Sequence, residues 1–292
     1  MIPIQSRRWG AGAAVGAVVV GVVALMVSPA AAGSKRSVVA AFYPVAYAAE
    51  RVGGNRVDVT NLTPAGAEPH DLELTPDQID EILDADVVLE LGHGFQPAVE
   101  KAAGQRDGPT VSLLSAGARD PHVWLDPVRM AAIVRRVQRS LTAADPLGRA
   151  VYARNADGFV AELDALDDRY AQGLAACERK VIVTAHEAFG HLARRYGLRQ
   201  EGAAGLSPDA EPDAKRLGRL ADLVKREGVT TVFTEELVSP RIADTLAREA
   251  GVRTATLNPL EGLTKKEVSR GADYVTVMDR NLTKIRRALG CT

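Results

Sequence analysis

The sequence predicts an α/β fold of two lobes, each a parallel-type sheet with flanking helices, joined by one long helix. Three observations lead there. Short β-branched runs alternate with helical patterns, as in βαβ units. Most of those runs are continuously apolar rather than alternating, which suits strands covered on both faces. One stretch, residues 146–174, breaks the rhythm with a helical stripe and no strand signal.

Seven runs read as strands: Ser37–Phe42, Arg56–Leu62, Val87–Leu91, Thr110–Leu114, Lys180–Ala185, Val229–Thr234 and Thr254–Leu257. Helices fill the gaps. Pro76–Asp84 opens after Thr75, a good N-cap. Pro127–Leu141 follows Asp126, with Pro127 at the first helical position. Pro212–Glu227 follows Glu211 and stops at Gly228, a suitable C-cap. Pro240–Ala250 follows Ser239 and stops at Gly251. In the stretch 146–174, Phe159, Leu163, Leu166, Tyr170 and Leu174 recur at helical spacing. The acidic Glu162, Asp164, Asp167 and Asp168 lie off that stripe and read as its wet face. A continuous helix of this length would span roughly 44 Å, the height of a two-lobe protein. The lobes are then residues 33–145 and 177–292, with 146–176 as the bridge.

The first 32 residues stand apart. Arg7 and Arg8 precede Trp9–Val27, which carries no charge, and Ser28-Pro29-Ala30-Ala31-Ala32 ends in an Ala-x-Ala pattern. This is the pattern of a secretory signal peptide cleaved after Ala32, with an uncleaved anchor as the alternative because the apolar run nears spanning length. No Cys adjoins the cleavage position, so no lipid-attachment box is evident. The segment holds two of the 36 basic residues and no acidic one, leaving a net charge of −3 for the remainder. Near-balanced charge argues against nucleic acid as partner. Only 4% of residues are aromatic, too few for a stacking platform. Export permits disulfides, and Cys177 and Cys291 are the two cysteines available to pair.

Three of the five histidines share one setting. His70 lies in Glu68-Pro69-His70-Asp71 after the second strand, His122 in Asp120-Pro121-His122-Val123-Trp124 before a helix, and His186 directly after Val181–Ala185. Ligands of open α/β sheets bind beyond the carboxyl ends of the strands. Imidazole suits zinc, copper, iron and nickel. A tetrahedral zinc takes four donors, so three histidines leave one vacancy. Glu235 and Glu261 each follow a strand and compete for it; spacing does not choose. His186-Glu187-Ala188-Phe189-Gly190-His191 resembles the zinc-protease helix motif but has one residue too many. On one helix its rings would point about 140° apart. His191 therefore reads as packed or solvated. His93, bracketed by Gly92 and Gly94, reads as a turn residue near the ligand pocket.

In this order, these segments resemble the metal-binding solute receptors of zinc and manganese ABC importers. Glu68-Pro69-His70-Asp71 with Thr75-Pro76, Asp120–Pro127 and Val183–Gly190 look like that family's three ligand motifs. Leu257-Asn258-Pro259-Leu260-Glu261-Gly262-Leu263 is similar to the version in its zinc-specific members. The resemblance runs from about residue 37 to 290. It implies a rigid bridging helix and a metal in the interlobe cleft, with His70 and His122 from one lobe and His186 from the other. It places the fourth ligand on the Leu257–Leu263 segment and so favours Glu261. Many relatives carry a ligand aspartate where Asn258 stands, so Asn258 or water is the rival to Glu261. It further implies Zn2+ as cargo, an ABC permease transmembrane subunit as partner, a monomer, and a periplasmic or cell-surface location reached by export. No histidine lies between Gly94 and Asp120, so the His-rich loop of many zinc-specific relatives is missing.

Imidazole-rich ligation favours zinc over the manganese or iron alternative. The competing enzyme class, a zinc hydrolase, needs an open coordination position with water and a general base. An adhesin is a third class. The expectation is a receptor, not an enzyme.

Overall fold

The computed structural model describes residues 1–3, 10, 34–115, 117–210 and 212–292. Met1–Gly33 forms a separate unit from Ser34–Thr292. The apolar run of the expected signal segment, and Glu211 as expected helix cap, lie outside the described residues. Among the described residues no helix is long and apolar enough to cross a membrane.

Ser34–Thr292 carries two four-stranded parallel sheets. The first contains β1 (Arg36–Ala40), β2 (Val57–Asn61), β3 (Val87–Glu90) and β4 (Thr110–Ser112) in the order β2-β1-β3-β4. The second contains β5 (Val181–Thr184), β6 (Arg199–Gly202), β7 (Thr231–Thr234) and β8 (Arg253–Thr256) in the order β6-β5-β7-β8. The same order therefore occurs twice, and each sheet has its switch point between its first and third strands. β3, β5 and β7 are almost wholly buried, which accounts for their continuous apolar sequence. The sequence reading missed β6. Its Arg-Gln-Glu-Gly run has no apolar signal, because it is an edge strand paired to β5 on one side only.

The helices are α1 (Tyr43–Gly53), α2 (Pro76–Asp84), α3 (Pro97–Ala103), α4 (Pro127–Ala144), α5 (Arg149–Leu174), α6 (Gly190–Arg195), α7 (Ala214–Arg226), α8 (Arg241–Ala250), α9 (Lys265–Ser269) and α10 (Tyr274–Leu289). Thr75 and Gln78 close a capping box on α2. Asp126 caps α4 by accepting from Val128 N at 3.0 Å. Two expected starts shift. α7 begins at Ala214, not Pro212, because the Asp213 carboxylate accepts from Arg216 N at 2.6 Å, and Asp is a strong N-cap. α8 begins at Arg241, with Pro240 itself at the N-cap.

The bridge opens with a 3-10 turn, Pro146–Gly148, and continues as the 26 residues of α5. All five residues of the expected stripe are buried. α5 packs on α1 and α4 in the first lobe and on α10 in the second. Tyr170 Oη donates to Met278 O at 2.7 Å. One buried cluster runs through both lobes, and a smaller one lies beneath α7 and α8. Asp164 and Asp168 are exposed as expected. Asp167 is not a free wet-face residue: it accepts from Arg195 on α6 and, at 2.7 Å, from Tyr196 Oη. The helix face turned towards the second lobe is thus part of the contact.

Cys177 and Cys291 are disulfide-bonded across 114 residues. Beside them Arg179 N donates to Leu289 O and Thr292 N to Ala176 O, both at 3.1 Å, so the chain end is tied to the segment leading into β5.

Candidate metal centre

Each expected site residue sits past a strand's carboxyl end. His70 follows β2, His122 follows β4, His186 lies two residues past β5, Glu235 directly follows β7, and Glu261 lies past β8. Two local devices aim the first two histidines. The carboxylates of Glu68 and Asp120 each fold back, across an intervening proline, to accept the backbone N–H two residues on. Glu68 Oε1 takes His70 N at 3.0 Å, and Asp120 Oδ1 takes His122 N at 3.1 Å. His186 is held in kind by Glu235 Oε1, which accepts its N–H at 3.2 Å.

One donor atom from each of His70, His122, His186 and Glu261 lies within 4.8 Å of the others. Glu261 Oε1 is the hub: 3.4 Å from His70 Nε2 and 3.2 Å from Nε2 of both His122 and His186. The side chains of His122, His186 and Glu261 are at most 1% exposed, and that of His70 is 11% exposed. His70 therefore faces the solvent side, where it lines a cavity of about 190 Å³ with His93, Phe95 and Leu206. His93 belongs to the rim of that cavity and not to the four-residue cluster.

The far side of two rings is fixed by carboxylates. His122 Nδ1 meets Asp120 Oδ1 at 3.0 Å, and His186 Nδ1 meets Glu235 Oε2 at 2.7 Å. A proton on each Nδ1 leaves each Nε2 as a lone-pair donor, and the hydrogen-bonded carboxylate raises ring basicity. Among the described residues, buried His122 Nε2 has no hydrogen-bond partner: its 3.2 Å approach to Glu261 is close but misaligned. Glu235, one of the two rivals for the fourth position, thus stands behind His186 rather than inside the cluster.

Asn258, the other rival, also faces elsewhere. Its Oδ1 accepts from Leu260 N at 2.7 Å, and its Nδ2 donates to Glu267 at 3.0 Å. That turn holds Leu260 at φ 57°, a left-handed conformation unusual for a side chain of its size. It is this turn that carries Glu261 into the cluster. Trp124 Nε1 donates to Pro259 O at 2.8 Å, bracing the Glu261 segment against the His122 segment.

The electrostatics follow the geometry. Burial alone would neutralise His186, but its bonds to Glu235 and Glu261 outweigh burial and raise its pKa to about 10. His122 is raised likewise, with Asp120 and Glu261 overcoming burial. Burial would protonate Glu261, yet the surrounding imidazoles hold it well below the usual carboxylate range. Glu68 is pushed up to about 8 by burial and the Glu261 charge. The centre is a buried carboxylate ringed by imidazoles that attract either protons or a cation.

Sequence reasoning did not single out Asp120 as a site residue. The signal was present in the parallel between Glu68-Pro69-His70 and Asp120-Pro121-His122. Which carboxylate reaches the ring as well as the backbone depends on the fold.

Residues 38–288 match the sequence profile of a family described as "Zinc-uptake complex component A periplasmic". The chain is 36% identical over 282 residues to the high-affinity zinc uptake system protein ZnuA of Bacillus subtilis, covering 88% of each. It is also 36% identical over 281 residues to the zinc-binding lipoprotein AdcA of Streptococcus pneumoniae serotype 4, covering 88% of this chain and 56% of AdcA. The chain thus spans little more than half the length of that relative. The crystal structure of the Zn(II)-bound ZnuA-like domain of the pneumococcal AdcA superposes with a TM-score of 0.76 at 37% identity, covering 88% of this chain and 99% of that domain. With the profile matching most of its length, the chain belongs to the family of periplasmic zinc-uptake complex component A proteins.

Proposed function

We propose that the protein is an extracytoplasmic solute-binding receptor that captures Zn2+ through His70, His122, His186 and Glu261 and delivers it to an ABC-type permease. The observation that carries this reading is the spacing of the donors. Tetrahedral zinc with bonds of about 2.0–2.1 Å sets its donor atoms about 3.3 Å apart. Glu261 Oε1 stands 3.2–3.4 Å from all three Nε2 atoms. Three neutral imidazoles and one carboxylate suit zinc better than manganese or iron, which favour more oxygen donors.

Four protein donors close a tetrahedral shell, leaving no position for a reactive water. Glu235, a candidate for a general base, is committed to His186. These features support a carrier and not a hydrolase. In this reading the ion is bound and released unchanged, the protein acts as a monomer after export, and it meets the membrane through the permease or an uncleaved N-terminal anchor.

Metal analysis of purified residues 33–292 tests the reading. One zinc per chain, displaced poorly by manganese in competition, is the expected result. A chain with no zinc, or one preferring manganese, overturns it, and esterase or peptidase turnover with zinc bound would restore the enzyme reading.

A further inference from the structure

We propose that His191 and Arg194 latch Asp120 across the lobes, and that this latch sets how long zinc stays bound by holding His122 in its liganding pose. The inference rests on the zinc-receptor reading above.

Asp120 lies in the first lobe, between β4 and α4, and both its carboxylate oxygens are used. Oδ1 holds the ring and amide of His122. Oδ2 accepts from Arg194 Nη2 at 3.2 Å and lies 3.4 Å from His191 Nε2. The Asp120 carbonyl is 3.1 Å from the same His191 Nε2. His191 and Arg194 sit on α6 of the second lobe, a few residues beyond His186. The hydrogen bonds define the His191 tautomer. Arg194 Nη2 donates to His191 Nδ1 at 3.1 Å, so the ring proton is on Nε2 and is donated to Asp120 O.

The approach is specific. A Cβ built at Gly190 would lie 2.9 Å from Asp120 Oδ2 and 3.1 Å from Arg194 Nη1, so a residue without a side chain lets Asp120 reach the first turn of α6. The latch has a dry part and a wet part: Asp120 and His191 side chains are 16% and 11% exposed, and Arg194 is 62% exposed. An exposed ion pair contributes little, so His191 carries most of the hold and Arg194 orients it. When docking parts the lobes, α6 leaves Asp120, and the carboxylate that fixes the His122 ring is freed to turn. Partners behind a metal-bound histidine typically change affinity about 10–100-fold.

The test is the rate at which zinc-loaded protein yields its ion to excess chelator, measured with metal content and the melting temperature of the metal-free form. His191→Leu should still bind one zinc and release it about tenfold faster. His191→Gln, whose side-chain amide can donate to Asp120 O, should restore slow release. Arg195→Ala removes the pairs with Asp167 and Asp126 at the same lobe contact; it should lower the melting temperature without hastening release. Unchanged release in His191→Leu, or equal acceleration in Arg195→Ala, overturns the latch while leaving the receptor reading intact. Wild-type protein that takes up no zinc overturns both.

Discussion

His122 Nε2, from the first lobe, stands 3.2 Å from Glu261 Oε1, from the second. Neither lobe alone brings these donors together. The segments are joined a second time where Trp124, two residues past His122, donates to Pro259 O two residues before Glu261. Tyr274 Oη adds a third tie by donating to Trp124 O. The cluster is therefore formed by the lobe contact, and an ion bound there, as proposed, would join the lobes.

Among the histidines, loss should be uneven. His122→Ala removes a fully buried donor, so zinc affinity should fall by more than the roughly 10–100-fold typical of outer partners. His93→Ala, on the rim, should leave affinity near wild type. Competitive chelator titration of the two variants decides, and equal losses would refute the assignment.

Replacing Asn258 with aspartate should not create a new ligand. Its side chain faces Leu260 N and Glu267, and a carboxylate there would lose the donation to Glu267 and repel it. Asn258→Asp should destabilise the fold by about 1–3 kcal/mol with one zinc still bound. Thermal unfolding and metal analysis check both halves, and tighter zinc binding by the variant would contradict the ligand set.

Acid should release the metal. In the metal-free centre, the His186 pKa is raised to about 10 by Glu235 and Glu261. Zinc must displace that proton, so binding should release protons at neutral pH and weaken as pH falls. Metal-free stability has the opposite sign. A raised folded-state pKa stabilises fully below the unfolded value near 6.5 and loses that contribution as pH climbs through about 10. Calorimetry in buffers of different ionisation enthalpy measures the protons released; zero release would refute the coupling.

Reducing Cys177–Cys291 should lower the melting temperature without loss of zinc. The bridge closes 114 residues, and chain entropy sets an upper contribution on the order of 4–5 kcal/mol. Both sulfurs lie outside the four-residue cluster. Differential scanning with and without reductant, followed by metal analysis, tests this; loss of zinc in a folded variant with both cysteines replaced by serine would overturn the ligand set.

Local physics made much of this protein readable from its sequence. Short β-branched runs marked seven of the eight described strands, and β3, β5 and β7 read as continuously apolar because strands covered on both faces cannot carry a polar side. Proline and capping residues marked α2 to the residue and α4 to within a turn, and the stripe from Phe159 to Leu174 marked the bridge. Three histidines past strand ends could be named because parallel sheets expose their carboxyl ends to ligands. The polar edge strand β6 and the later cap at Asp213 were not legible, because one depends on a neighbour's edge and the other on which nearby carboxylate wins the helix start. Spacing did not settle the division of labour among the side chains around the cluster; only the family resemblance favoured Glu261. Glu235, Glu261, Asn258 and Asp120 all stand near histidines or strand ends. Only the packed lobes put Glu261 among the rings, Glu235 and Asp120 behind them, and Asn258 beneath the turn that carries Glu261. A side chain's role at a metal depends on distances of a few tenths of an ångström, and those are set by contacts between segments far apart in the chain.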